Sequence, residues 1–498
     1  MSLKVSKFCI PGIKFTDMNI LIPFVWRAIL ILGMLLQTFQ LCSQTHLSQL
    51  ADVPAPFLTV PQTVVEDELG RPYYYLAAKS GGLQVFDIQS ITNPTLVKTV
   101  SKTDLDGLEV MDAFQQGNFL YLALGNFFGS SNTQTPGLGI LDISDPANPV
   151  VKDVWRDTTE MNGSGFVTVQ GDYAYLGGML VGFYILNVHI PDSIKLVSKT
   201  QPDQNFPVQN PSGPAVPRGR GMAIRNDLLY LCYDAGGLRI MDISDKSHPQ
   251  EIGHYINPGN PNKQQAFNNI ALNGDLAYIA VDYCGMEVLN IANPANITRT
   301  GWWNPWSCES PSNLWVGSPG HSNQITFDPA SQLVFISTGQ SELSIVDVSD
   351  PAQPQLFDGY GATDDQIGTW GVTFRGNRIY LTYILAAIPF SSNWAGVKIF
   401  DWNYSTGTIR PKIKSEISVS PNPFSDHLTV QLLENIPVNL TVTLFDALGR
   451  KVSNLEHIEN DPGNQSFEWA GRISPGIYFL QVTEGQNSRM VKLFNVGN

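Results

Sequence analysis

One short phrase returns seven times along this 498-residue chain, and it limits the fold more than any other feature. It reads GLQVFDIQSITNP from Gly82, GLGILDISDPANP from Gly137, GFYILNVHIPDS from Gly182 and GLRIMDISDKSHP from Gly237. It continues as GMEVLNIANPAN from Gly285, ELSIVDVSDPAQP from Glu342 and GVKIFDWNYSTG from Gly396. The acid or amide of each copy falls at Asp87, Asp142, Asn187, Asp242, Asn290, Asp347 and Asp401. Successive copies therefore lie 55, 45, 55, 48, 57 and 54 residues apart. A period of this length marks one supersecondary unit, repeated so that neighbours bury a shared core.

A second phrase precedes each copy: PYYYLAAKSGG from Pro72, NFLYLALG from Asn118, DYAYLGG from Asp172 and DLLYLCYDAG from Asp227. The others are DLAYIAVDYCG from Asp275, QLVFIST from Gln332 and NRIYLTYI from Asn377. Both phrases are rich in aromatic and β-branched residues, and a glycine or short polar tip joins them, so each pair is a β-hairpin. Asp-Pro or Asn-Pro then ends the second strand, because proline donates nothing to a ladder and the acid locks a turn. A strand follows the proline (PTLVKTV from Pro94, PQLFDGY from Pro354), and another precedes the aromatic phrase (FVTVQGD from Phe166, GVTFRGN from Gly371). Four strands per unit at this period make one propeller blade. Helical repeats need a helical periodicity that is absent, and a β-solenoid needs a shorter period. The 43 glycines and 33 prolines suit a turn-rich all-β chain. The expectation is a seven-bladed β-propeller over residues 45–410, followed by a small C-terminal β-sandwich. The seventh unit ends in a poor outer strand, NYSTGTIRPKI. PFLTVPQ from Pro56 matches the post-proline strand, so residues near Phe57 to Val60 are expected to complete the last blade and cover its edge.

These phrases resemble the LVIVD-repeat family of β-propellers over about residues 56–405. The resemblance implies a secreted or cell-surface propeller and brings no catalytic residues. After a linker at 411–416, residues 417–498 alternate as strands: ISVSPNPFSDHLTVQL, LTVTLFDALGRKV and ISPGIYFLQVTEGQNSRMVKLFNV. They resemble the type A C-terminal sorting domain of the type IX secretion system. Pro421, Asn422 and Pro423 match its opening motif, Asp446, Leu448, Gly449 and Arg450 its middle one, and Pro475, Gly476 and Tyr478 its end. The resemblance implies the type IX machinery as partner, with the protein released or attached at the outer cell surface. The competing reading of this segment is an adhesive or carbohydrate-binding sandwich.

Residues 1–44 read as a signal peptide, with Lys4, Lys7, Lys14 and Arg27 before the apolar run Ala28 to Leu36. Met18 is an alternative start. Arg27 interrupts the apolar stretch, which is too short for a membrane span. A net charge of −14 argues against nucleic acid and against an anionic membrane surface.

Of five cysteines, Cys9 and Cys42 leave with the signal. Cys284 and Cys308 lie near loops and are the better disulfide candidates, while Cys232 sits inside an apolar strand. No metal site is expected from their spacing, and no cofactor is expected. Asp104, Asp106 and Glu109 form only a fragment of a calcium loop. No nucleophile, metalloprotease, phosphate-loop or dinucleotide fingerprint appears.

The recurring acid of the phrase looks functional, yet a site needs one copy and an architecture needs seven. Departures from the template carry more information. They are 125–137, 205–221, 386–396 and above all 301–321, GWWNPWSCESPSNLWVGSPGH. Its Trp302, Trp303, Trp306 and Trp315 are candidates for a platform that stacks a glycan or peptide, the first three foremost, or else pack on one another. Inner strands begin near Glu109, Arg220, Asn268, Asn323 and Trp370, and His321 leads into one of them; these are candidate ligand contacts. Two function classes follow: a monomeric, non-enzymatic binding module, which is preferred, and an extracellular lyase or hydrolase acting on a polymer. Carboxylates, His and Arg clustered at one channel mouth favour the enzyme; an aromatic rim without them favours binding.

Mature protein is expected to start near Thr45 and to lose the segment after about Lys414, which mass spectrometry reads. Deleting residues 415–498 should strand the propeller in the periplasm; unchanged export would rule out the tag.

Overall fold

The computed structural model describes residues 46–55, 60, 62–126, 134–207, 218–260, 263–404, 416–433, 440–446, 450–458, 464–484 and 487–497. The signal segment and almost all of the linker lie outside them. The described residues form nine four-stranded antiparallel sheets, seven in the repeat region and two in the C-terminal segment. Blade one comprises Thr63–Glu66, Tyr73–Ala77, Leu83–Asp87 and Thr95–Val100 in spatial order, and the next five blades repeat this meander. The inner strands of successive blades lie side by side, and that of blade seven, Thr369–Arg375, lies beside that of blade one. The repeat region is thus a closed β-propeller.

Burial explains the two phrases. The middle strands are sunk between neighbouring blades on both faces, so Tyr74, Tyr75, Leu83 and Val85 are all fully buried. That is why these strands read as near-continuous apolar runs. The fourth strand forms the outer edge and is mostly exposed in Thr95–Val100.

Blade seven takes its fourth strand from the N-terminal side, but from earlier than expected. Leu47–Pro54 pairs antiparallel with Gly396–Trp402, Leu47 opposite Trp402 and Pro54 opposite Gly396. Residues 57–59 of the expected strand lie outside the described residues, and Val60 is in no strand. LSQLADVP has the apolar residues the position needs: Leu50, Ala51 and Val53 pack with Tyr380 and Ile399.

The recurring acid is a turn lock in six blades. Asp87, Asp142, Asn187, Asp242, Asn290 and Asp347 each accept the backbone N–H two residues on, at 2.7–3.0 Å. Asp401, whose phrase lacks the Asp-Pro turn, instead accepts from the Asn377 amide. The third position of the phrase varies, and four of its side chains hold rim segments in place. The Tyr184 hydroxyl donates to Asp157, Arg239 to the carbonyls of Asp203 and Phe206, and Glu287 accepts from Tyr255 and Asn257. Lys398 sits 3.5 Å from Glu342.

In the C-terminal segment, Glu416–Ser420, His427–Leu433, Asn464–Ala470 and Glu456–Ile458 form one sheet. Lys451–Asn454, Leu440–Asp446, Gly476–Glu484 and Asn487–Asn495 form the other. Phe424, Leu428, Leu444, Trp469 and Leu480 fill its core. Asp446 accepts from Arg450 at 2.7 Å, the Tyr478 hydroxyl donates to the Ser474 carbonyl, and Asn422 accepts from Phe494 N–H. Pro475 approaches Gly497, and Gly476 pairs with Asn495. Gly449 lies outside the described residues.

Asp112 ties three inner strands together, accepting from Val167 N–H at 3.0 Å and from Thr63. Burial raises its pKa from 3.8 to about 7. The native state therefore holds a proton that the unfolded chain has released between those values, and stability falls as pH rises from about 4 to about 7. Asp112→Asn removes this titration. It should flatten the decline by roughly 2 kcal/mol between pH ~5 and pH ~8, measured by denaturant titration; parallel curves for both proteins contradict the assignment.

Candidate functional site

Strand order puts every long insertion on one rim. Leu124, at the end of a second strand, faces both Val110 at the start of the first and Gly137 at the start of the third, and Gly137 also faces Arg156 at the end of the fourth. Hairpins between second and third strands, and links into the next blade, thus leave the same way. The departures at 125–137, 205–221, 301–321 and 386–396 all belong to these two kinds of connection, and the opposite rim holds short turns.

A β-bulge opens the inner strand on that rim in blades two to seven. The register skips Met111, Gly165, Asn268 and Trp370, each the extra residue opposite a single partner. Arg220–Gly221 share Cys232, and Asn323–Gln324 share Ser337, in the corresponding bonding pattern. Bulges re-aim a side chain out of the sheet. Here they turn Arg220, Asn268, Asn323 and Trp370, from blades four to seven, into one pocket of about 370 Å³. Blades two and three contribute Met111 and Met179 instead, and the half-buried Trp370 packs against both. The axis is therefore apolar on one side and polar on the other.

Arg220 lies over the Trp370 ring, 5.6 Å from its centroid. Arg218 stands 3.7 Å from Asp234, a carboxylate whose pKa burial raises. Asp282 receives His321 Nδ1 at 2.6 Å on one oxygen and the Trp315 indole N–H at 3.0 Å on the other. The other ring nitrogen, Nε2, is buried with no hydrogen-bond partner among the described residues. Phe390, from the blade-seven insert, packs 5.3 Å from the imidazole. Gly317 N–H to the Pro389 carbonyl joins the two inserts at 3.0 Å.

The pocket thus gathers His321, Arg220, Asn268, Asn323 and Trp370 from the expected set. Trp302, Trp303 and Trp306 do not line it. The Trp302 indole donates to the Cys284 carbonyl at 2.8 Å with Arg299 on its face. Trp303 is 7% exposed and packs edge-on against Trp306, whose ring covers Gly320. Cys284 and Cys308 form a disulfide, and Lys263 donates to the carbonyls of Cys308, Ser310 and Asn313. The insert is therefore fastened at Trp302, Cys308, Ser310 and Asn313, while Leu314, Trp315 and Val316 are exposed, Trp315 at 45%. Glu109 lies 4.0 Å from Lys79 and does not line the pocket. Asp104 caps a short 3-10 turn through Ser101.

Arg218, Asp234 and Asp282 were not among the residues expected, and Trp315 was named with the insert's tryptophans but not among its foremost contacts. A sequence signal for the two acids exists: they stand at the hairpin tips LCYDAGG and AVDYCG, where blade one has Lys79. A tip whose charge changes between copies is free of the architecture.

The propeller and its one-sided rim define a repeat-built scaffold with an eccentric pocket. The chain carries LVIVD repeats, matched at residues 72–102, 110–156, 220–257, 267–303 and 333–361, and ends in a secretion system C-terminal sorting domain, residues 418–495. It is accordingly exported through the type IX system, to the medium or the outer cell surface. None of the curated proteins matches it. Similar solved structures include a computationally designed protein, Ika8, at 8% identity and TM-score 0.43, covering 90% of this chain and 99% of that one. Saccharomyces cerevisiae Sqt1 gives 8% and 0.46 with 90% and 99% covered. A chain of a mitotic checkpoint complex gives 14% and 0.46 with 70% and 97% covered. None of these likenesses carries function.

Single alanine variants separate the tryptophans. Trp303→Ala should destabilise by about 3–5 kcal/mol, as for a large core truncation. Trp315→Ala should cost about 1 kcal/mol or less. Equal losses of melting temperature contradict this division.

Proposed function

We propose that this exported propeller is a binding module that holds a short stretch of extracellular glycan in the pocket among blades four to seven. The observation that carries the reading is Trp315, an exposed indole held in place by Asp282 at the edge of a polar pocket. A fixed aromatic face stacks on the apolar face of a sugar ring, while Asn268 and Asn323, whose amides also bond Ser322, each other and Thr369, line the pocket with polar groups. The volume suits a ligand of that size.

The pocket also has carboxylates, His and Arg together, the combination that favours an enzyme. His321 oriented by Asp282 is the specific support for that second reading, since the pair resembles a general base with its orienting acid. Binding is preferred because Asp282 already uses both oxygens and His321 is 1% exposed. A ligand meets the indole and the amides before it meets the imidazole.

Glycan and peptide arrays with mature propeller, followed by calorimetry, test the proposal. Trp315→Ala should weaken glycan binding about tenfold at nearly constant melting temperature. Binding confined to peptides, or unchanged in the variant, overturns it; release of shortened polymer that stops in His321→Gln selects the enzyme reading.

A further inference from the structure

We propose that the rim carrying the inserts docks on a lipid surface without net charge, with Leu314, Val316 and Ile388 entering the acyl layer and Trp315 at its boundary. This docking is independent of what the pocket holds.

Two inserts of one rim push apolar side chains into water. Leu314 is 62% exposed, Val316 58% and Ile388 65%, with Trp315 between the first two. The bond from Gly317 N–H to the Pro389 carbonyl joins the residues that follow Val316 and Ile388, so the two projections form one patch. Loose packing does not account for it. Residues 314–317 stand between Asn313 and Ser318, both buried, and the Asn313 amide donates to the Tyr283 carbonyl at 3.1 Å. On the other insert Phe390, two residues beyond Ile388, is buried. Fastened neighbours thus hold the apolar side chains out in solvent, and an exposed apolar patch of this kind marks an interaction surface.

Charge and size select the partner. Residues 310–327 and 379–397 hold no Asp, Glu, Lys or Arg, in a chain that is 15% charged. Both projections can therefore leave water without carrying an ion into a medium of low dielectric. A protein partner fits less well, because four side chains are far fewer than the roughly 20–30 residues a side of a specific interface. A lipid surface needs no matching shape. A half-exposed tryptophan whose indole N–H is already bonded to Asp282 suits the boundary between head groups and chains. The same rim fixes the charge of that surface. Exposed Asp364 and Asp365 stand on the link into blade seven, beside Gln366, whose carbonyl accepts from Asn393 N–H of the insert at 2.9 Å. Together with a net charge of −14 they repel an anionic leaflet.

The test is flotation of the full chain, without its signal segment, on phosphatidylcholine vesicles. The protein should float with them, and replacing part of the lipid by phosphatidylglycerol should weaken the association, most at low salt. Leu314→Ser, Val316→Ser and Ile388→Ser together should lower partitioning at least about tenfold at unchanged melting temperature, and each alone by part of that. Failure to float, tighter association with the anionic vesicles, or a triple variant that floats as well as the parent overturns the proposal. Dimers in sedimentation that form without any flotation, and that the same three changes dissolve, assign the patch to a second copy and overturn it as well.

Discussion

The pairing of Leu47–Pro54 with Gly396–Trp402 is the contact on which the rest depends. It joins segments about 350 residues apart and turns an open row of blades into a ring. Further links cross the same seam: Thr382 donates to the Gln62 carbonyl, Thr373 to that of Val64, and Tyr380 and Arg378 to Glu66. Closing so long a loop costs entropy, though the cost grows only slowly with length. The closed ring returns it by covering two blade faces and one strand edge at once. Before closure, blade seven has three strands and the axis has no fixed width, so the bulged residues have nothing to converge on.

Within the ring, conserved geometry and variable chemistry occupy different positions of the same repeat. The acid of the phrase locks a turn in six blades and carries no chemistry of its own. The bulge position has the opposite character: one backbone device, and side chains that range from glycine and methionine to arginine, asparagine and tryptophan. Gly165 and Met111 leave one side of the axis small and apolar, while Arg220, Asn268 and Asn323 make the other side polar. Trp370 belongs to both, with Met111 and Met179 against it and Arg220 over its ring. The third position of the phrase adds a further layer, since Tyr184, Arg239 and Glu287 hold the links that enter their own blades. An unchanging scaffold can thus carry loops of different length.

The repeat and its hairpins were legible because they rest on local rules: alternation, glycine tips and proline stops. The closing strand was legible in kind but not in place. PFLTVPQ looked like a post-proline strand, whereas LSQLADVP has no such phrase and is recruited by packing against Tyr380 and Ile399, far away in the chain. The pocket was half legible. Inner-strand starts identified Arg220, Asn268, Asn323 and Trp370, but the bulge that aims them is a matter of register between strands. The tryptophans of the insert are alike in sequence. What separates Trp315 from Trp303 and Trp306 is non-local: Gly320 admits the Trp306 ring, the disulfide draws residue 308 to blade five, and Asp282 tethers the exposed indole.

The pocket is also where the structure bears its local costs. Among the described residues, thirteen buried side-chain N or O atoms have no hydrogen-bond partner, and four of them, on Asn313, Ser318, His321 and Ser322, fall within ten residues of the insert. Each such atom costs about 1–3 kcal/mol. Three devices make the segment able to bear that cost: the Cys284–Cys308 disulfide, the Lys263 ammonium on three carbonyls, and the Gly317–Pro389 bond between inserts. The fastening comes from blades five and seven, which flank the pocket, so the same contacts that hold the insert also fix the distance between its walls.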